Sequence, residues 1–242
     1  MGLPMTVVEY SEKGDRNFQL DRVISISKNG VNLLAVLDGV GDSECGFVEE
    51  FEEKIKLNFD IIFENISSNV SSQLWSLIKK TAGECNCNGK ICAVFSLITK
   101  ERLVVAHCGD CRAYLPDRNI KTADHSLACE HAGINQDHLY IARHPLRNRV
   151  TGTISRSKQF LEVSSFPPLL EDERIVLCSD GWWRNIEIND ILGVTEKGLK
   201  GTVVSAVESP IVEEDNVTVI LFSKKGSEVG GINSSRSSVT SA

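Results

Sequence analysis

The stretch LLAVLDGVGDSECG, residues 33–46, decides how this chain is read. Its apolar run, Leu33 to Leu37, has the character of a buried strand and stops at Asp38-Gly39, followed by Val40, Gly41 and a second acid, Asp42. Asp-Gly is ordinary turn chemistry, because glycine accepts positive φ and aspartate bonds its own backbone. A strand ending on a carboxylate can equally deliver that acid to a site. The pattern recurs: VVAHCGD reaches Asp110, RIVLCSDG ends on Asp180, and EEDN sets Asp215 just before VTVILF. If the ends of these strands meet at one edge of a sheet sandwich, the four acids converge and repel in poorly hydrated space, which calls for a compensating cation. Hard oxygen ligands without histidine or cysteine favour magnesium or manganese over zinc.

The segments around this stretch set the architecture. VISIS and VNLLAVL flank Lys28-Asn29-Gly30, a hairpin signal, so residues 6–37 read as two or three strands. From 44 to 82 the period lengthens: Phe47, Phe51 and Ile55 are spaced by four, as are Ile62, Ile66, Val70 and Leu74, which predicts two amphipathic helices with Leu77 and Ile78 closing the second. ICAVFSLIT and RLVVAHCGDCRAYL read as strands joined tightly at Lys100-Glu101, residues 134–143 and 188–208 as helical, and NVTVILF as a last strand. Strands, a helix pair, then strands again is an α+β pattern: a central sandwich of two antiparallel β-sheets flanked by helices on both sides. The expected domain is 1–224, followed by a Gly/Ser-rich tail over 225–242 that composition marks as disordered.

The 242 residues, 41% hydrophobic with net charge −7, suffice for one well-cored domain. An acidic chain with no basic run is a poor nucleic-acid binder. No run of 18 apolar residues predicts a membrane span. The start, MGLPMTVVEYSEKGDR, lacks the pattern of a signal peptide. Met1-Gly2 with Thr6 fits the myristoylation pattern in form only, a match that chance often supplies. The eight cysteines (45, 85, 87, 92, 108, 111, 129 and 178) then read as reduced thiols in a cytoplasm, several of them small buried hydrophobes. Cys108-Gly-Asp-Cys111 has no second C-x-x-C partner, which argues against a zinc site with Cys85 and Cys87.

Eight motifs, in order over residues 10–223, carry a resemblance: SEKGDRNFQLDRV, VLDGVG, GKICAV, VVAHCGDCRAYL, DHSL, HPLRNRVT, LCSDGWW and DNVTVILF. The chain resembles the type 2C metal-dependent serine/threonine protein phosphatases in their compact bacterial form. That resemblance implies a Mn²⁺ or Mg²⁺ enzyme that hydrolyses phosphoserine and phosphothreonine on proteins through a hydroxide shared by two metal ions. It implies that Asp38 bridges the two tightly bound ions, that the Gly39 carbonyl ligates one, and that Asp180 and Asp215 ligate the other. Asp110, with Asp180, is implied to hold a third, weaker ion, Asp21 to bond metal-bound water, and Arg16 to grip the substrate phosphate with its planar guanidinium. The implied partners are phosphorylated proteins, a serine/threonine kinase or its targets, with no nucleic acid or membrane, and the expected state is a monomer.

Some positions depart from the family pattern. Val40 stands where eukaryotic members carry a histidine, Leu20 and Gln19 replace polar residues beside Asp21, Gly152 replaces an arginine, and Lys90 and Ile91 replace small residues. Cys111 stands in place of a serine. His125 and His144 match positions in a mobile flap, and Trp182 and Trp183 are expected to pack beneath the site. The rival reading is a catalytically weak or inactive relative that acts as a phosphoprotein-binding regulatory module. A metal-dependent phosphatase of small molecules is a third.

Overall fold

In the computed structural model, described over residues 5–41, 46–66, 69–133, 137–212 and 215–224, three strands come first: β1 (Met5–Glu12), β2 (Arg22–Lys28) and β3 (Val31–Gly39). The β2–β3 turn has Asn29 and Gly30 both at positive φ, 53° and 78°, the geometry that Asn-Gly favours in two-residue hairpins. Helices α1 (Gly46–Ile62) and α2 (Val70–Glu84) follow, then β4 (Ile91–Ile98), β5 (Leu103–Cys108), β6 (Arg112–Leu115) and β7 (Ile120–Lys121). Short helices α3 (Leu127–Ala132) and α4 (His138–Arg143) lead to β8 (Glu162–Phe166) and β9 (Arg174–Cys178). After α5 (Asp180–Trp183), α6 (Ile188–Gly193) and α7 (Leu199–Glu208), the last described strand is β10 (Val217–Lys224).

The strands form two five-stranded antiparallel sheets, β1-β10-β9-β6-β7 and β2-β3-β4-β5-β8. The two-residue period of a strand explains why the central ones are apolar without a break. In β3, Leu33, Ala35 and Leu37 pack on Phe47, Phe51 and Ile55 of α1 and on Leu74, Leu77 and Ile78 of α2. Leu34 and Val36 point the other way, into the layer between the sheets, where they meet Ile220 and Phe222 of β10. Strand β10 mirrors this: Val217, Val219 and Leu221 turn outward to Trp182, Trp183 and Val203. Both faces of both sheets are therefore covered, which is the expected sandwich with helices on either side.

Register now places the opening motif. Asp38 follows Leu34 and Val36 at even spacing, so it belongs to the inter-sheet face, at its open end. Its partner across the ladder is Cys92 of β4.

Three expectations need correction. The stripe Ile62, Ile66, Val70, Leu74 is not one helical face: α1 stops at Ile62, Ile66 is exposed, and α2 starts at Val70 behind an Asn69 cap whose side chain accepts from the Ser72 N–H. The Gln73 side chain donates to the Ile62 and Asn65 carbonyls, satisfying groups that the end of α1 leaves over. The helical span 188–208 is interrupted between α6 and α7, where the Gly198 N–H bonds both the carbonyl and the hydroxyl of Thr195. The helix expected over 134–143 starts at His138, with Asp137 as its cap, and α3 precedes it; residues 134–136 and the tail 225–242 lie outside the described residues.

Between β5 and β6 the chain crosses from one sheet to the other through Gly109, at φ +71°, where a Cβ would overlap the Cys92 side chain. Gly30 also has positive φ but has nothing within 4 Å of a would-be Cβ. Gly109→Ala is therefore expected to destabilise the protein by about 2–4 kcal/mol, from backbone strain plus overpacking. Gly30→Ala should cost only about 1 kcal/mol, from strain alone. Urea unfolding of the two variants checks the difference.

Candidate active site

The open end of the inter-sheet layer is a cleft of about 550 Å³, into which Asp38, Asp110, Asp180 and Asp215 project from different strand ends. Asp38 closes β3, Asp110 follows β5, Asp180 follows β9 and Asp215 precedes β10, so both sheets contribute. Carboxylate oxygens of Asp38 and Asp110 and the Cys92 sulfur all lie within 4.8 Å of one another. Leu20, Gly39, Val40 and Arg16 also line the cleft, while Asp21 lies buried just before β2.

Burial and crowding set the electrostatics. Burial raises the Asp38 carboxyl well above the ordinary range, and repulsion from Asp180, Asp21, Asp110 and Asp215 adds to it. Asp180 is raised well above its usual value by burial; Arg184 pulls it down, and Asp110, Asp215 and Asp21 push it up again. Asp110 is raised by burial against the same arginine. Asp21 is pushed up to about 7, chiefly by burial, although hydrogen bonds with Ser179 and Thr218 oppose the shift. One oxygen of Asp21, Oδ2, is buried with no hydrogen-bond partner. Crowded, protonation-prone carboxyls with an orphaned oxygen among them suit hard divalent cations, so the residues present fit Mn²⁺ or Mg²⁺.

Arg16 meets the cleft as a fork on Asp215: Nε donates to Oδ1 at 2.9 Å and Nη2 to Oδ2 at 3.0 Å. Its side chain is 41% exposed, so the pair stands at the rim. Asn216 fixes the loop that carries it. Its Oδ1 accepts from the Leu20 N–H at 2.8 Å, and its Nδ2 donates to the carbonyls of Lys13 and Phe18. Gln19 supports Asp21 locally, accepting from the Asp21 N–H through Oε1 and donating to Ser11 through Nε2.

Sequence reasoning missed the cation at the floor of the cleft. Arg184 is buried, and its Nη1 and Nη2 each lie 2.7 Å from a carboxylate, of Asp180 and Asp110 respectively. The available signal was its place four residues after Asp180, on the same helical face. Trp183 does pack beneath the site as expected: its indole N–H donates to the Asp110 carbonyl at 2.8 Å, and the Arg112 guanidinium lies 3.2 Å from a ring centroid. Cys92, read as a buried hydrophobe, is that and also part of the cleft wall.

Neither His125 nor His144 lines the cleft. The His125 backbone N–H donates to the Gly109 carbonyl at 2.7 Å, and its ring stacks on His107 with centroids 4.7 Å apart. His144 Nδ1 accepts from the Leu146 N–H. Gly152 has a physical reason here: a Cβ at this position would overlap the Phe160 ring, which packs edge-on against His125.

The raised Asp21 pKa predicts a sign for the pH dependence. Asp21 ionises near 3.8 when unfolded and near 7 when folded and metal-free, so folding takes up a proton between those values. Its stabilising contribution is present below the unfolded value and is lost as pH rises through the folded one. In chelator, the free energy of unfolding is expected to fall between about pH 5 and about pH 7.5, less steeply in Asp21→Asn, and Mn²⁺ should offset the loss. Urea melts at the two pH values check it.

The family model described as protein phosphatase 2C matches residues 15–208. The serine/threonine phosphatase Stp of Listeria welshimeri is 26% identical over 221 residues, covering 82% of this chain and 86% of its own. The crystal structure of the Mycobacterium tuberculosis serine/threonine phosphatase PstP superposes with a TM-score of 0.74 at 18% identity, covering 92% of this chain and 99% of its own. The catalytic domain of PstP in complex with two manganese ions gives a TM-score of 0.72 at 17% identity, with coverage of 92% and 99%. The family match spans most of the chain and includes the strand ends that carry Asp38, Asp110 and Asp180. On that match, the chain belongs to the protein phosphatase 2C family.

Proposed function

We propose that this protein is a Mn²⁺- or Mg²⁺-dependent phosphatase of phosphoserine and phosphothreonine on proteins. The observation that carries the reading is the meeting of Asp38, Asp110, Asp180 and Asp215 in one cleft, with an arginine fork at its rim. In this reading Asp38, the Gly39 carbonyl, Asp180 and Asp215 would hold two divalent ions, with Asp21 behind. The two manganese ions of the PstP catalytic domain support that number. Divalent ions so held lower the pKa of water and offset charge on phosphoryl oxygens.

The chain's own groups do the rest. Arg16 is half-exposed, so moving its fork from Asp215 to a phosphate costs little desolvation, and its planar donors match two phosphoryl oxygens. Asp38 and Asp180, pushed toward protonation by burial and then by neighbouring carboxylates, would give up protons to a cation held among them. A water oxygen adds to phosphorus as the bond to the serine or threonine oxygen breaks, giving inorganic phosphate and the free hydroxyl. No histidine lines the cleft among the described residues. The proposed substrates are a serine/threonine kinase or its targets, in the cytoplasm, and the proposed state is a monomer.

Phosphate release from a phosphothreonine peptide should require Mn²⁺ and stop in chelator; turnover indifferent to chelator would overturn the reading. Asp38→Ala and Asp180→Ala are expected to abolish turnover and to lose tight metal binding in calorimetric titration.

Arg16→Ala should mainly raise KM. A charged hydrogen bond is worth about 1.5–3 kcal/mol, which is roughly ten- to hundred-fold in kcat/KM. Arg16→Lys should recover part of that loss. Wild-type kinetics in Arg16→Ala would return this residue to a surface ion pair.

A further inference from the structure

The resemblance gives Asp110 and Asp180 a third, weaker metal ion, but the structure fills that place with protein. One guanidinium contacts both carboxylates. Arg184 Nη2 donates to Asp110 Oδ2 at 2.7 Å, and Nη1 lies 2.7 Å from Asp180 Oδ2. The three side chains are 2%, 5% and 12% exposed, so these contacts are shielded from water. Further partners hold the guanidinium in place. Nη1 donates to Asn148 Oδ1 at 2.7 Å, Nη2 donates to the Arg147 carbonyl at 3.1 Å, and the Trp183 ring lies 5.4 Å from the guanidinium carbon.

An arginine cannot shed its proton in a protein, so its charge stays at every working pH. The guanidinium takes Oδ2 of each carboxylate, so an ion bridging the same two would have to share them through their other oxygens. It would also meet a fixed positive charge within a few ångströms, in a buried setting where repulsion is strong. The residues present therefore do not fit a third ion. They fit two ions and one built-in cation.

We propose that Arg184 takes the place of the third metal ion, so that this phosphatase works with two. Asp110 is then no metal ligand: it anchors Arg184, which ties α5 to the Arg147–Asn148 turn at the wall of the cleft. Arg184 is a positioning residue in this account, since its contacts are with Asp110, Asp180 and that turn. The inference rests on the two-ion reading above.

Metal counting on the full chain tests it without relying on turnover. Native mass spectrometry and calorimetric titration with Mn²⁺ should give two ions for the wild type and still two for Asp110→Asn. Arg184→Gln, which keeps a hydrogen-bonding side chain but loses the charge, and Arg184→Ala should each gain one weaker ion. The gain should appear as an added stabilising phase at higher Mn²⁺ in thermal melts, and Asp110→Asn in the same chain should remove it. Arg184→Lys should return the count to two.

Three ions on the wild type, with one lost in Asp110→Asn, would overturn the inference and leave the two-ion reading standing. So would Arg184→Gln and Arg184→Ala that fold and still bind two. Should neither variant fold, the wild type and Asp110→Asn decide alone. A wild type that binds no ion sensitive to Asp38→Ala would mark failure of the metal reading itself.

Discussion

Repulsion among buried carboxylates is the constraint on which the site depends. Asp38, Asp110 and Asp180 stand in a cleft where burial already disfavours their charged forms; Asp180 and Asp110 raise Asp38 further, and Asp110 raises Asp180. In the absence of metal, two arginines of different character offset part of this. Arg16 holds Asp215 from the solvent side, as a rim pair whose arginine is half-exposed and which contributes little net stability. Arg184 holds Asp110 and Asp180 from within, as a buried cation with several further contacts. Release of the first is cheap. Loss of the second would leave two buried carboxylates uncompensated, which is strongly unfavourable.

The cations are themselves supported by a layer that sequence patterns alone leave unexplained. Trp183 lies against the guanidinium groups of both Arg112 and Arg184, at 3.2 and 5.4 Å, and bonds the Asp110 backbone. Arg112 is fully buried and paired through two donors with Asp124, at 2.6 and 2.9 Å. A chain of packed groups thus runs from Asp124 through Arg112 and Trp183 to the carboxylates of the cleft. Asp124 and His125 open the segment whose backbone bonds Gly109, so the same short stretch supports Arg112 and borders Asp110.

Three of the positions that depart from the family pattern share a local logic. Gly152 makes room for Phe160 beside His125, and Gln19 bridges Ser11 and the Asp21 backbone. Leu20 lines the cleft beside Gly39, where a would-be Cβ would come within 3.0 Å of the Leu20 Cβ. Each is accounted for by packing or hydrogen bonding within this chain.

The sandwich, the helix pair and the strand-end acids are legible in the residues alone. These depend on short-range rules: a two-residue period in Leu33–Leu37, a four-residue period in Phe47, Phe51 and Ile55, and Asn29-Gly30 at a hairpin. Short-range rules also failed in a regular way. A periodic stripe continued across the break between Ile62 and Val70, because spacing does not register where the chain turns. What the acids meet is set by the folding of distant segments onto one another. That Arg184 reaches Asp110, 74 residues away in the chain, and that Arg16 reaches Asp215 across 199, depends on how two sheets stack and which strand ends face each other. Coulomb interactions act through space and are strongest where water is excluded, so neither the pairing nor its strength is written in the order of the residues.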